Sequence, residues 1–183
     1  MRTRSIGAKN GHDGMHKPTV YLDTNVFSAY WYEGGDVAAA ARRFHTREWW
    51  DQEREHFLLY VSATTINELR AGTFRRQSDC LKMARSLPRL AMNRTAKRVL
   101  DDLIKTRLVP ETKAGDALQM AVSAAHAVDY LLTWNYAHLA NPIAQERLQA
   151  LCSRLRLQAP FLVSPETIPQ LRFGQSIRRE KSQ

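Results

Sequence analysis

Cysteine is scarce in this chain, and its two copies, Cys80 and Cys152, cannot build a disulfide framework or a four-thiolate zinc site. Both fall in segments that read as helices, so the expectation is two reduced, partly buried thiols in a cytoplasmic protein. Long apolar runs are missing as well. No stretch approaches the roughly 18 residues of a membrane span, and no membrane partner is expected. The opening segment, MRTRSIGAKNGHDGMHK, has no apolar centre and does not read as a secretory signal. The six histidines lack metal-ligand spacing. His12 and His16 sit in the polar leading segment, and His45, His56, His126 and His138 are scattered. Internal repeats are absent too.

What is present fits one compact domain. The 183 residues suffice for a single core and are too few for two ordinary ones. Apolar residues at 44% and charged residues at 25% are ordinary globular values. The net charge of +9 is unevenly spread. Residues 69–113 carry twelve Lys/Arg against four acids, whereas residues 18–68 carry four against eight. A basic middle suits a polyanion through phosphate neutralisation and counterion release. A solvated helical surface would look the same from charge alone.

Short apolar runs alternate with helical patterns. Residues 1–17 are polar and read as a flexible tail, and residues 171–183 form a second, basic one, leaving 18–170 as the domain. Thr19–Leu22 reads as a buried strand ending at Asp23. Asn25 is expected to cap a short helix through Trp31, and Asp36 a long one to about Arg54. A second strand is predicted at Phe57–Val61, then a helix from Thr65 to Ala71 stopped by Gly72. Residues 75–87 and 94–107 read as basic helices separated by Pro88, and Val109-Pro110 breaks the pattern. The stretch 114–128 is apolar almost all round, hence a buried helix. Tyr130–Thr133 is a strand, Asn141-Pro142 opens a helix to Leu155, and Phe161–Val163 is a last strand. The alternation predicts an α/β fold with a central parallel sheet flanked by helices. Sites in such sheets lie at the carboxyl ends of the strands.

Three acids fall where that rule puts a site. Asp23 follows the first strand, Glu68 lies one turn into the helix after the second, and Asp116 opens the buried helix before the third. Asn135 follows that third strand. Converging carboxylates repel one another and lose hydration, an arrangement that a hard cation such as Mg²⁺ or Mn²⁺ makes tolerable. Each acid taken singly has a plainer explanation. Asp23 can serve a turn, and Thr65-x-x-Glu68 and Asp116-x-x-Gln119 both match a capping box.

The surrounding residues make the set more specific. Val20-Tyr21-Leu22-Asp23-Thr24-Asn25-Val26-Phe27 resembles the opening motif of PIN domains. Ser62–Arg70, with Asn67-Glu68-Leu69, resembles their second motif, and Ala114-Gly115-Asp116-Ala117-Leu118-Gln119-Met120-Ala121 their third. Asp129–Asn135 with His138-Leu139 resembles the fourth, and Phe161–Ile168 the closing strand. The resemblance spans roughly residues 18–169. It implies a single PIN-like domain and a Mg²⁺- or Mn²⁺-dependent endonuclease for single-stranded RNA. Many bacterial members are VapC-like toxins neutralised by an antitoxin protein, so the implied partners are RNA and a cognate antitoxin, with a homodimer left open. By motif match Asp23, Glu68 and Asp116 become metal ligands. Thr24 or Asn25 orients the first carboxylate, and Thr133 assists. The implied reaction is hydrolysis of a phosphodiester with the ribose 3′ oxygen as leaving group. The chain departs from the fullest motif at Asn135, where many members carry a fourth aspartate. That bears on a second metal more than on the first, and Asn135, counted with the three acids as catalytic, is assigned to a metal-bound water or to a second, weaker ion.

Other residues weigh less. Asp129 precedes its strand, so it belongs at the far end of the sheet and reads as structural. Tyr30, Trp31, Trp49 and Trp50 could stack on bases, but at helical spacing they read as core. Arg70, Arg75 and Arg76 follow Glu68 closely and are candidates to hold RNA backbone, with a solvated helix end as the equal alternative. A phosphatase of the haloacid-dehalogenase type also begins with an aspartate after the first strand, but it needs a second aspartate where this chain has Asn25. The remaining rival is a catalytically weakened PIN-like module that only binds RNA or a protein.

Overall fold

A computed structural model describes residues 17–107 and 114–169. Residues 1–16, the Val109-Pro110 break and the trailing segment 171–183 lie outside the described residues. The elements run β1 (Thr19–Leu22), α1 (Thr24–Tyr30), α2 (Val37–Glu48), β2 (Leu58–Ser62), α3 (Ala63–Ala71), α4 (Gln77–Arg85), β3 (Arg89–Leu90), α5 (Arg94–Lys105), α6 (Ala114–Ala125), β4 (Tyr130–Leu132), α7 (Pro142–Leu155) and β5 (Phe161–Val163). The five strands form one parallel sheet in the order β3-β2-β1-β4-β5, as the alternating pattern predicted. Among the described residues no helix is long and apolar enough to cross a membrane.

The central strands read as continuous apolar runs because both faces of the sheet are covered. Successive side chains of a strand point to opposite faces, and the core divides accordingly. Tyr21, Leu131 and Leu162 join α5, α6 and α7 on one side. Val20, Leu22, Tyr130, Leu132 and Val163 join α1, α3, α4 and the Trp49-Trp50 pair on the other. On the first side α5 packs Ala96, Val99 and Leu103 onto Ala117, Met120, Ala121 and Ala124 of α6. With that partner on one face and the sheet on the other, α6 is apolar nearly all round. Asp129 binds the backbone N–H and the hydroxyl of Thr19 at 2.8 Å each, clamping the amino ends of β1 and β4. This is the structural role its position suggested. Trp49 and Trp50 are buried, and so are both thiols.

Several local expectations need correction. The first helix is capped from Asp23, not Asn25, because Asn25 already has helical backbone and spends its side chain elsewhere. The long helix after Asp36 ends at Glu48 and continues as a π-helical turn, Trp49–Glu53, which swings both tryptophans inward. The third helix starts at Ala63 with Ser62 as its cap, so Thr65 is interior and Thr65-x-x-Glu68 is not a capping box. The Thr65 hydroxyl instead bonds the Leu22 carbonyl and the buried Tyr21 hydroxyl. Strand β3 has two residues, paired with Val61 and Ser62, too few for a periodic signal. The open edge of β2 beside it borders a cleft of about 430 Å³ lined by Phe57, Leu58, Leu59, Tyr60, Leu87 and Pro88.

Candidate metal centre

Asp23 leaves the sheet at the carboxyl end of β1, between β2 and β4. The chain runs outward from β1 to β2 and β3, then returns to β4 on the other side of β1. The crevice above this reversal is the expected ligand position in an open parallel sheet. Asp23 is only 4% exposed. Its Oδ2 accepts from the Asn25 amide and the Thr133 hydroxyl, and its Oδ1 accepts from Gln119 Nε2 at 2.9 Å. Asn25 also donates to the Thr133 hydroxyl at 3.1 Å and accepts from the Trp134 backbone N–H at 2.9 Å. It therefore ties the end of β1 to the end of β4.

Glu68 comes from α3, one turn above the end of β2. Its Oε2 accepts from the Thr24 hydroxyl and, at 3.2 Å, from Gln119 Nε2. So Asn25 orients the first carboxylate, while Thr24 holds the second. The helix carrying the third acid comes so close that a Cβ on Gly115 would overlap Glu68 Oε1, and a side chain there would push the Glu68 carboxylate aside. Asp116 is half-buried in the first turn of α6, and its Oδ2 accepts from Asn135 Nδ2 at 2.9 Å. The Asn135 side-chain Oδ1 accepts from the His138 backbone N–H at 3.2 Å. Asn135 thus shapes the following turn and also touches the third acid.

Burial pushes the Asp23 carboxyl above the usual carboxylate range, against the pull of its hydrogen bonds. Burial also raises Glu68, and the charges of Asp23 and Asp116 add to that rise. Glu68 therefore lies within reach of both other acids. Among the described residues no trio of His, Cys, Asp or Glu side chains stands close enough to hold an ion as placed. The Gln119 amide lies against two of the acids and the Asn135 amide against the third. The donor set nevertheless fits a hard divalent cation: carboxylate oxygens, partly stripped of water, with carboxamides beside them whose N–H ends now face the acids. Gln119 Oε1 is buried without a hydrogen-bond partner among the described residues, a further oxygen at the same place.

The raised carboxyls have a consequence for stability. A carboxyl whose folded-state pKa is raised stabilises the fold fully below its ordinary range and loses that contribution as pH rises through the folded value. In chelator, Asp23→Asn is expected to gain in melting temperature relative to the native chain as pH rises from the ordinary carboxylate range towards neutrality and above. Added Mg²⁺ should shrink the gain by restoring a counter-charge. A difference that stays constant across this pH range in scanning calorimetry would exclude a strained Asp23.

The remaining candidates divide. Arg70 is exposed at the end of α3. Arg75 pairs with Glu33 at 3.1 Å, and Arg76 pairs with Asp79 at 2.9 Å while its guanidinium lies 4.6 Å over the Trp31 ring. Both arginines therefore already have acidic partners. A cleft of about 170 Å³ adjoins Asn25 and is lined by Ser28, Tyr32, Arg42 and Trp134; no local pattern in the chain pointed to it. Gln119 also escaped notice, since the spacing from Asp116 matched a capping box. The available signal was a polar side chain on a buried helix, on the same face as the acid.

No family model matches the chain, and no curated protein matches it. Three solved structures are similar in chain path. One is a member of the VapBC family of toxin–antitoxin systems, VapBC-5 from Mycobacterium tuberculosis, at 19% identity and TM-score 0.42, covering 69% of this chain and 94% of that one. Another is VapBC2 from Rickettsia felis bound to a DNA fragment from their promoter, at 13% identity and TM-score 0.47, covering 80% and 98%. A third is FitAcB from Neisseria gonorrhoeae, at 16% identity and TM-score 0.46, covering 78% and 96%. At these values the likeness carries no functional inference.

Proposed function

We propose that this chain is a metal-dependent endoribonuclease of the PIN type, cutting single-stranded RNA and serving as the toxin of a toxin–antitoxin pair. One observation carries the reading. Asp23, Glu68 and Asp116 arrive from three separate elements at the carboxyl edge of a parallel sheet, with the Gln119 amide between the first two and the charges of Asp23 and Asp116 both bearing on Glu68. Carboxylates are assembled in this way at a cost, and a divalent cation turns the cost into affinity. Mg²⁺ or Mn²⁺ held by these three would supply Lewis-acid stabilisation of a phosphodiester and lower the pKa of an attacking water.

The chain's own residues set the rest. Thr133 and Asn25 fix the Asp23 carboxylate, and Thr24 fixes Glu68. Asn135 holds Asp116 through its amide and is neutral, so the site carries three formal negative charges and a second ion is held weakly. In the reaction a water gives up a proton as its oxygen bonds to phosphorus, the bond from phosphorus to the ribose 3′ oxygen breaks, and that oxygen takes up a proton from solvent, so that one water is added in all. Arg70 is the best placed of the basic candidates for the RNA backbone. Arg75 and Arg76 would first exchange an acidic partner for phosphate. The cleft beside Asn25, with Tyr32, Trp134 and Arg42 on its walls, suits either an RNA base or a segment of the antitoxin.

The test is direct. The purified chain should cut an unstructured RNA into internal fragments in Mg²⁺ or Mn²⁺ and leave it intact in chelator. RNA that is bound but uncut under both conditions would sink the nuclease reading and leave the weakened binding module, which the neutral Asn135 favours.

A further inference from the structure

Gln119 lies three residues after Asp116 on α6, so the two side chains share a helix face. It is 1% exposed, surrounded along the helix by Ala117, Met120, Ala121, Val122 and Ala124. A buried carboxamide costs free energy unless its donors and its acceptor are matched. One end is matched, since Nε2 donates to Asp23 Oδ1 at 2.9 Å and to Glu68 Oε2 at 3.2 Å. The other is not, since Oε1 is buried with no hydrogen-bond partner among the described residues. Two acids from two elements thus share one amide, supplied by the helix that carries the third.

The two ends of a glutamine amide are nearly isosteric, and its last torsion is broad and two-fold. A half-turn exchanges them. An N–H group suits two bare carboxylates but repels a cation placed between them, whereas a carbonyl oxygen is the kind of ligand a hard cation takes. We propose that Gln119 is a fourth residue of the cation site, bridging Asp23 and Glu68 by N–H without an ion and turning its carbonyl oxygen toward the ion when one binds. This rests on the metal reading above and adds a residue to it.

The experiment compares the native chain with Gln119→Met and Gln119→Glu by calorimetric titration with Mn²⁺ and by thermal melting in chelator. Methionine is close in length and apolar, and it removes both functions. Glutamate returns an oxygen but no N–H. Mn²⁺ binding by Gln119→Met should weaken about tenfold or more, within the range of roughly 10–100-fold typical of groups supporting a metal site. Gln119→Glu should bind Mn²⁺ at least as tightly as the native chain. Both variants should melt lower than the native chain in chelator, because the N–H bridge is gone. Native-like Mn²⁺ affinity in Gln119→Met overturns the inference while the metal reading stands. So does a Gln119→Glu that binds no better than Gln119→Met, which would leave Gln119 as a brace alone. A Gln119→Glu protein too unstable to titrate leaves the decision to Gln119→Met. A native chain that binds no Mn²⁺ overturns the metal reading and this inference with it.

Discussion

Asp116→Asn should lower RNA cleavage by at least ~100-fold at saturating Mg²⁺ while leaving the fold intact. The magnitude follows from a comparison. Residues that only support a metal ligand typically change affinity or activity by roughly 10–100-fold, so loss of a ligand should exceed that. Thr133→Val and Asn25→Ala, which act through Asp23, mark the lower range in the same assay. The substitution is mild structurally, because Asp116 is half-buried and an amide can still pair with Asn135. It also removes one of the charges that raise Glu68, so melting in chelator should be unchanged or slightly higher. Cleavage at the native rate by well-folded Asp116→Asn would remove Asp116 from the ligand set.

The largest effect on stability is expected at Trp49. It is the bulkiest fully buried side chain, 1% exposed, and its ring packs against Trp50 and Phe57 at 6.1 and 6.0 Å between centroids. Trp49→Ala should cost about 3–5 kcal/mol. For a chain of this length that is roughly 6–20 °C in melting temperature, at about 2–4 °C per kcal/mol. Trp49→Phe should cost clearly less. It keeps a ring in the cluster and removes an indole N–H that is buried with no partner among the described residues, a group whose unmet desolvation costs about 1–3 kcal/mol. Equal melting of the native and alanine chains would mean that the tryptophan cluster is not core.

The parts of this molecule legible in its sequence are those where one physical demand acts alone. Val20–Leu22 and Leu162-Val163 are strand segments buried on both faces, and nothing but an uninterrupted apolar run satisfies that. Asn141 and Asp36 cap helices because each is followed at once by a helical pattern with no competing hydroxyl nearby. Ser62 and Thr65 compete for one role, and the sequence does not say that Thr65 is occupied by Leu22 and Tyr21 from a strand 43 or 44 positions away. The three acids were legible because strand ends mark sites in parallel sheets. Their support was less so. Asn25 was read both as a cap and, with Thr24 as the alternative, as the partner of Asp23; it takes the second role, while Thr24 serves Glu68. These side-chain choices depend on tertiary neighbours that local spacing does not encode.

The position of β1 bears on how such a chain is made. Its two neighbours in the sheet are β2, about 40 residues later in the register, and β4, about 110 later. A ribosome delivers the first of these early and the second much later. Until β4 emerges, β1 has one unpaired edge, Asp23 lacks Thr133, and Asp116 lacks Asn135. Every nascent chain that has yet to complete β4 therefore carries the acids in an unfinished arrangement. On the proposed function, a nascent chain would hold an incomplete cation site until residues through Asn135 have left the ribosome, and its cutting of its own message should be weak until then.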